Sequence, residues 1–256
     1  SSCCQAIRGL CATDLGGKCF ISVGNFYAVK FCLRVIGARD TPKLTWKTSD
    51  PIWVDQWPMS LEKLHVLQEL VQEQLQKGHI IPSNSPWNSP VFIIKKRSGG
   101  WRLLHDLRKI NEAIEGMGPL QPGLPSPSMI PRNWHLIVID LKDCFFDIPL
   151  HPDDAPRFSF SMPSINMQAP LDRYHWLVLP QGLRNSPSIC QWYVAKILSP
   201  IREKMPDVLL YHYMDEILIS AETVIPCQAV TAADLTIASE KVQKTSPWKY
   251  LGWKIN

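Results

Sequence analysis

No stretch of about 18 uncharged apolar residues occurs, which excludes a membrane-spanning helix and a membrane partner. The basic start and unbroken apolar run of a secretory leader are also missing, since the best apolar stretch, residues 26–38, is interrupted by Lys30 and Arg34. There is no Cys-x-x-Cys pair and no histidine before His65, so the five early cysteines, Cys3, Cys4, Cys11, Cys19 and Cys32, fit no zinc pattern. Cys144, Cys190 and Cys227 stand singly in apolar surroundings, as buried thiols of a reducing, intracellular and cytoplasmic compartment do. Glycine is scarce at 13 beside 22 prolines, which implies stiff connections. Internal repeats are absent, and so is a large charge of one sign: 27 Lys and Arg against 23 Asp and Glu leave +4. What remains is a globular composition of 256 residues, 45% hydrophobic, enough for one large domain or two subdomains with a sizeable core. The chain begins with Ser1 rather than methionine, as a piece of something longer would.

The small net charge is unevenly spread. Residues 95–109 hold Lys95, Lys96, Arg97, Arg102, Arg108 and Lys109 against one acid, Asp106, so this strip carries +5 and the other 241 residues sum to −1. Such a strip suits phosphate contacts, and equally suits the charged, solvent-facing edge of a hairpin.

Along the chain, residues 1–43 show no convincing period and are expected to be a poorly ordered lead-in. Residues 46–57 form an extended, proline-broken connection. Ser60 can cap a helix whose stripe is Leu61, Leu64, Leu67, Leu70, Val71 and Leu75 and whose end is Gly78. Residues 91–94 and 101–104 read as strands joined at Ser98-Gly99-Gly100, which puts the basic strip on a β-hairpin. Residues 118–132 contain five prolines and mark a boundary, giving a region 44–132 and a region 133–256. In the latter, residues 136–139 read as a buried strand ending in Asp140. Residues 186–201 read as a helix with Ile189, Val194, Ile197 and Leu198 inward, and residues 208–213 and 217–219 as two strands flanking Met214-Asp215-Glu216.

Asp140, Asp215 and Glu216 each leave an apolar strand, where an ionised carboxylate is costly unless paired or bound to a cation. Brought together they would repel one another. Divalent ions resolve this, and an oxygen-only donor set favours Mg²⁺ or Mn²⁺. Acids at exposed turns are the alternative reading of the same pattern.

The blocks Trp87-Asn88-Ser89-Pro90-Val91-Phe92 and Trp101-Arg102-Leu103-Leu104-His105-Asp106-Leu107-Arg108 resemble the fingers of a retroviral reverse transcriptase. Asp140-Leu141-Lys142-Asp143-Cys144-Phe145-Phe146, Leu179-Pro180-Gln181-Gly182, Asn185-Ser186-Pro187 and Tyr213-Met214-Asp215-Glu216 resemble its palm, in the same order. Leu44-Thr45-Trp46 and the following residues 47–57 are similar to the corresponding stretch of betaretrovirus-like, class II endogenous elements. The resemblance spans about residues 44–256.

It implies an α+β fold of fingers and palm, with an antiparallel palm sheet backed by helices. It implies RNA-directed DNA polymerisation with two Mg²⁺ (or Mn²⁺) ions held by Asp140, Asp215 and Glu216, acting on an RNA or DNA template with primer and on deoxynucleotide triphosphates. Lys96 and Arg102 match fingers residues that hold the triphosphate. Phe145 matches the ring that excludes a ribose 2′-hydroxyl. Asp143 and Cys144 line the same pocket, Gln181 touches sugar and phosphate, and Met214 packs beneath the primer end.

Three departures lead to an expectation of impaired turnover, with a catalytically inactive relic that at most binds nucleic acid as the alternative. The family's turn carries two aspartates, and the extra methylene of Glu216 moves its carboxylate by about an ångström, a displacement that can cost ~10²-fold in rate. Residues 224–234 are shorter than the family pattern and contain Pro226. The sequence stops in what resembles the primer-gripping hairpin, Tyr250-Leu251-Gly252-Trp253-Lys254-Ile255-Asn256, which predicts a truncation before the thumb and a weak grip on duplex.

Overall fold

The computed structural model describes residues 11–13, 19–23, 26–28, 38–97, 99–118, 126–141, 143–164, 170–223, 242–251 and 253–255. The shortened 224–234 segment, most of the 1–43 lead-in and residues 119–125 of the proline-rich crossing lie outside the described residues. In chain order the elements are β1 (Cys11–Thr13), β2 (Cys19–Val23), β3 (Phe26–Ala28), α1 (Leu61–Gln76), β4 (Ile80–Pro82), β5 (Val91–Lys95), β6 (Trp101–His105) and α2 (Arg108–Ala113). They continue with β7 (His135–Asp140), α3 (Cys144–Asp147), β8 (Ser159–Met162), β9 (Asp172–Trp176), α4 (Ser186–Lys204), β10 (Leu209–Tyr213), β11 (Glu216–Ala221), β12 (Trp248–Tyr250) and β13 (Trp253–Ile255). Helices and antiparallel sheets make the chain α+β. No helix among the described residues is long and apolar enough to cross a membrane.

The chain divides into two compact units, each made of separated segments. One comprises Ile36–Gly118 and Phe145–Ile189. Here Ser60 caps α1 by accepting the Lys63 N–H, and the helix buries Leu64, Leu67 and Val71, the apolar stripe of its 3.6-residue period. Gly78, at φ +70°, supplies the left-handed residue that ends it. β4, β9 and β8 form an antiparallel sheet in that order, and β5 pairs with β6 as the expected hairpin. The extended 46–57 connection is held by isolated backbone bridges, Trp46 with Ile114 and Trp53 with Asn88, and by side chains. Buried Asp154 accepts from the Leu44 N–H and Trp46 Nε1, and the Arg157 guanidinium lies 4.3 and 4.9 Å from the Trp46 and Trp87 rings.

His105, the last residue of β6, is wholly buried with its ring edge toward Phe160, and burial drives its pKa from the ordinary 6.5 to about 4. The unfolded chain therefore takes up a proton near pH 6.5 that the folded chain refuses until about pH 4. The stability lost across that window is about 3 kcal/mol, complete near pH 4 and absent above pH 6.5. His175 and His212 are also lowered by burial and add to the slope, so the His105 share is the difference between wild type and His105→Gln. Urea unfolding of both at pH 7 and pH 4.5 measures it; equal slopes would refute the assignment.

The other unit comprises Ser1–Val35, Pro119–Cys144 and Cys190–Asn256. β1, β2 and β3 form one antiparallel sheet, and β10, β11 and β7 another, with β11 in the centre. β7 and β11 bury Ile137, Val138, Ile139, Ile217, Leu218 and Ile219, as fully covered strands do. Leu136, Val138, Leu218 and Tyr250 pack together on one side, so the β12–β13 hairpin covers the sheet there. Along α4, Ile189, Cys190, Tyr193, Val194, Ile197, Leu198 and Ile201 are buried, the expected inward positions among them, and the helix runs on past Pro200 to Lys204.

Candidate active site

The ladder between β7 and β11 sets Asp140 directly opposite Glu216. Met214 and Asp215 form the tight turn between the paired Tyr213 and Glu216, so the three acids expected from sequence gather at one end of one sheet. Each is half-buried. Met214 takes the left-handed conformation, φ 52°, at a cost of about 1–2 kcal/mol for a residue with a side chain. Two hydrogen bonds hold it there: the Met214 N–H donates to Gln191 Oε1 (2.6 Å), and the Leu141 N–H donates to the Asp215 carbonyl (2.8 Å).

Like charges directly opposite on a sheet destabilise it, and a divalent cation removes the penalty. The donors are all oxygens, which fits Mg²⁺ or Mn²⁺ in kind. Among the described residues no group of three or more His, Cys, Asp or Glu side chains is placed to hold a metal ion. Mg²⁺ does not require one, because it keeps several waters and takes one or two carboxylates beside substrate phosphates.

Gln191, His212 and Arg202 were not singled out by the sequence. Gln191 is buried on α4; besides bonding Met214 it donates from Nε2 to the His212 carbonyl (3.4 Å). Arg202 Nη2 lies 2.9 Å from His212 Nδ1, and His212 Nε2 lies 2.9 Å from Gln191 Nε2 and 3.2 Å from the Gln191 carbonyl, so the ring is held between the two side chains. Burial lowers the His212 pKa. The available signal was polar residues at inward positions of an apolar helix and strand.

Asp143 is exposed and left-handed at φ 50°. Cys144 is buried as a free thiol, its Sγ 3.6 Å from that of Cys190. The two phenylalanines that follow differ. Phe146 is stacked between His79 (5.2 Å) and Trp176 (5.9 Å), whereas Phe145 is half-buried and, among the described residues, no ring stacks on it.

Lys96 and Arg102 are exposed. Lys96 opens the hairpin turn, its N–H donating to the Gly100 carbonyl (3.0 Å) and its carbonyl accepting from Gly99 (3.1 Å), and Arg102 lies opposite Ile94. Gln181 enters a turn at Gly182, whose φ of +93° disfavours any side chain. Asn111 clamps that turn, donating from Nδ2 to the Gly182 carbonyl (2.9 Å) and accepting from the Arg184 N–H (2.8 Å). Asn111 is a fourth residue the sequence did not single out. Lys96, Arg102, Phe145 and Gln181 belong to the unit of Ile36–Gly118 and Phe145–Ile189; the acids, Asp143, Cys144 and Met214 belong to the other.

After β12 the chain turns at Leu251, again left-handed at φ 49°. Its N–H donates to Glu216 Oε2 at 3.2 Å. A hydrogen bond to a charged acceptor is worth ~1.5–3 kcal/mol, enough to offset the left-handed leucine. Asp143, Met214 and Leu251 are three of the four non-glycine positions at positive φ among the described residues of this unit, the fourth being Asn133, a residue type that tolerates it, and strain of this kind concentrates where chemistry or binding occurs.

Comparison with known proteins shows the family. Residues 94–255, more than half of the chain, match the family described as "Reverse transcriptase (RNA-dependent DNA polymerase)". The chain is 55% identical over 222 residues to the Gag-Pro-Pol polyprotein of Squirrel monkey retrovirus, covering 84% of this chain and 12% of the polyprotein. It is 54% identical over 241 residues to that of Simian retrovirus SRV-2 (91% and 14%). To that of Sheep pulmonary adenomatosis virus it is 51% identical over 234 residues (86% and 14%). The chain thus spans 12–14% of the length of these relatives. It belongs to the reverse transcriptase family, in its retroviral branch.

Proposed function

We propose that this chain carries the fingers and palm of an RNA-directed DNA polymerase, with deoxynucleotide triphosphates and a primed RNA or DNA template as substrates. The observation that carries the reading is the pairing of Asp140 with Glu216 beside Asp215 at the end of a rigid, buried sheet. Polymerases of this family use divalent metal ions; Asp140, Asp215 and Glu216 are the residues to hold two Mg²⁺ or Mn²⁺. When bound, such ions favour the deprotonated primer hydroxyl and neutralise charge on the phosphates. The protein's own part is positioning. Lys96 and Arg102 take the triphosphate, Phe145 bears on the sugar, and Gln181 contacts sugar and phosphate from a turn that Asn111 holds. Asp143 and Cys144 line the nucleotide pocket, and Met214 supports the primer end. Alignment and fixed charge supply most of the rate in such transfers.

The test is incorporation of one radiolabelled deoxynucleotide on a primed RNA template. The expected result is extension with Mg²⁺ or Mn²⁺ that disappears on chelation; no extension with either ion would overturn the reading. A second reading, nucleic-acid binding without turnover, draws on Glu216 being engaged by Leu251. Binding would then run through the exposed basic strip, and Lys96→Ala is expected to lower the slope of log affinity against log salt by about one. A slope unchanged by the substitution removes Lys96 from the nucleic-acid contact.

A further inference from the structure

We propose that Glu216 is a positioning residue that latches the β12–β13 hairpin to the acidic turn. Resemblance makes it a metal ligand, but its carboxylate is spent at least in part on the main chain: Oε2 accepts the N–H of Leu251, a residue 35 positions away in sequence. That amide lies in the turn beyond the last residue of β12 and so has no place in the strand ladder. The hairpin's other attachment is at its base. Gln243 exchanges two backbone hydrogen bonds with Val138 of β7 (2.9 and 3.1 Å), and its side chain brackets Lys249, accepting from the N–H (2.6 Å) and donating to the carbonyl (2.8 Å). Gln243 fixes the hairpin's origin and Glu216 its tip, with Tyr250 buried between them. Asp140 faces Glu216 across the ladder, so the same side chain touches the hairpin tip and borders the acidic pair. The additional methylene of glutamate supplies the reach; an aspartate at this position falls short by about one carbon–carbon bond.

The consequence for function rests on the polymerase reading. The hairpin and the acids move as one body, and a primer end lying on the hairpin keeps its place relative to Asp140 and Asp215. The latch itself is independent of that reading and is measured without metal or substrate.

The experiment is hydrogen exchange at the Leu251 amide of the metal-free chain, in wild type and in Glu216→Gln, Glu216→Asp and Glu216→Ala. Glu216→Gln keeps an acceptor oxygen at the same reach and is expected to hold exchange within about threefold of wild type. Glu216→Asp keeps the charge but not the reach, and Glu216→Ala keeps neither; both are expected to speed exchange about tenfold or more. The amides of Ile217 and Leu218, in the central strand, report whether each variant is folded. Should Glu216→Ala fail to fold, the Gln and Asp variants decide alone. Protection by Asp equal to wild type, or its loss in Gln, overturns the latch.

In primer extension the latch separates KM from kcat. KM for the primed template is expected to rise about tenfold in Glu216→Asp and to be rescued in Glu216→Gln, while kcat falls in Glu216→Gln because the charge opposite Asp140 is gone. KM that follows charge instead of reach overturns the positioning role. If the exchange pattern holds but wild type adds no nucleotide, the latch stands and the polymerase reading falls.

Discussion

Asp215→Asn is expected to cut single-nucleotide incorporation by about 10³-fold while leaving the chain as stable as before or slightly more so. The two halves of this result have different causes. The Asp215 backbone is held by its carbonyl, which accepts the Leu141 N–H, and by the neighbouring Met214 N–H on Gln191; neither bond involves the carboxylate. Asparagine is nearly isosteric and tolerates turns. The fold keeps both of these backbone bonds, and it is relieved of one negative charge beside Asp140 and Glu216, a repulsion of about 0.2–1 kcal/mol without a cation. On the polymerase reading proposed above, turnover would lose an anionic oxygen ligand for the ion, and several kcal/mol of transition-state stabilisation with it. Single-turnover incorporation and thermal melting in chelator measure the two effects. Activity within tenfold of wild type would remove Asp215 from the metal-holding set, and a drop in melting temperature would mean its carboxylate is structural.

Much of this site was legible because its residues announce themselves locally. Residues 136–139 and 217–219 are apolar runs that end or begin in acids, and such runs fold as covered strands with the acid at the rim. The hairpin of β5 and β6 has its Gly-Gly turn, and α1 has its serine cap and closing glycine. What escaped depends on partners far apart in sequence. β4, β8 and β9 are short, and nothing in Ile80–Pro82 foretells pairing with Asp172–Trp176. Gln191 and Asn111 looked like ordinary polar residues of helices until Met214 and Gly182 supplied the backbone groups they hold. Glu216 was legible as an acid and as a departure from the family, but its bond to Leu251 needs the hairpin folded back over the sheet. The division into units shows the same limit. The stretch Phe145–Ile189 falls in with Ile36–Gly118, a grouping set by strand pairing that no composition shift marks.

The adjacent phenylalanines, both half-buried, provide the second large effect, because they pack differently. Phe146 is stacked between His79 and Trp176, inside the unit that also holds β4 and β9. Removing its ring in Phe146→Ala leaves two aromatic faces without a partner, and a loss of about 3 kcal/mol in folding stability is expected. Phe145 has no ring stacked on it among the described residues and remains half-exposed. Phe145→Ala is therefore expected to change stability by less than about 1 kcal/mol. On the polymerase reading its effect would be on selection: a rigid ring beside the sugar would reject one extra oxygen by steric exclusion, worth about 10²-fold between a deoxynucleotide and its ribonucleotide. Phe145→Ala should collapse most of that ratio by admitting the ribonucleotide, with the deoxynucleotide incorporated at a rate close to wild type. Phe145→Tyr, which keeps the ring, should preserve it. Paired urea melts and competition between the two nucleotides decide the matter. If Phe145→Ala unfolds the chain as readily as Phe146→Ala, or discriminates as sharply as wild type, Phe145 is a packing residue and the selecting group lies elsewhere.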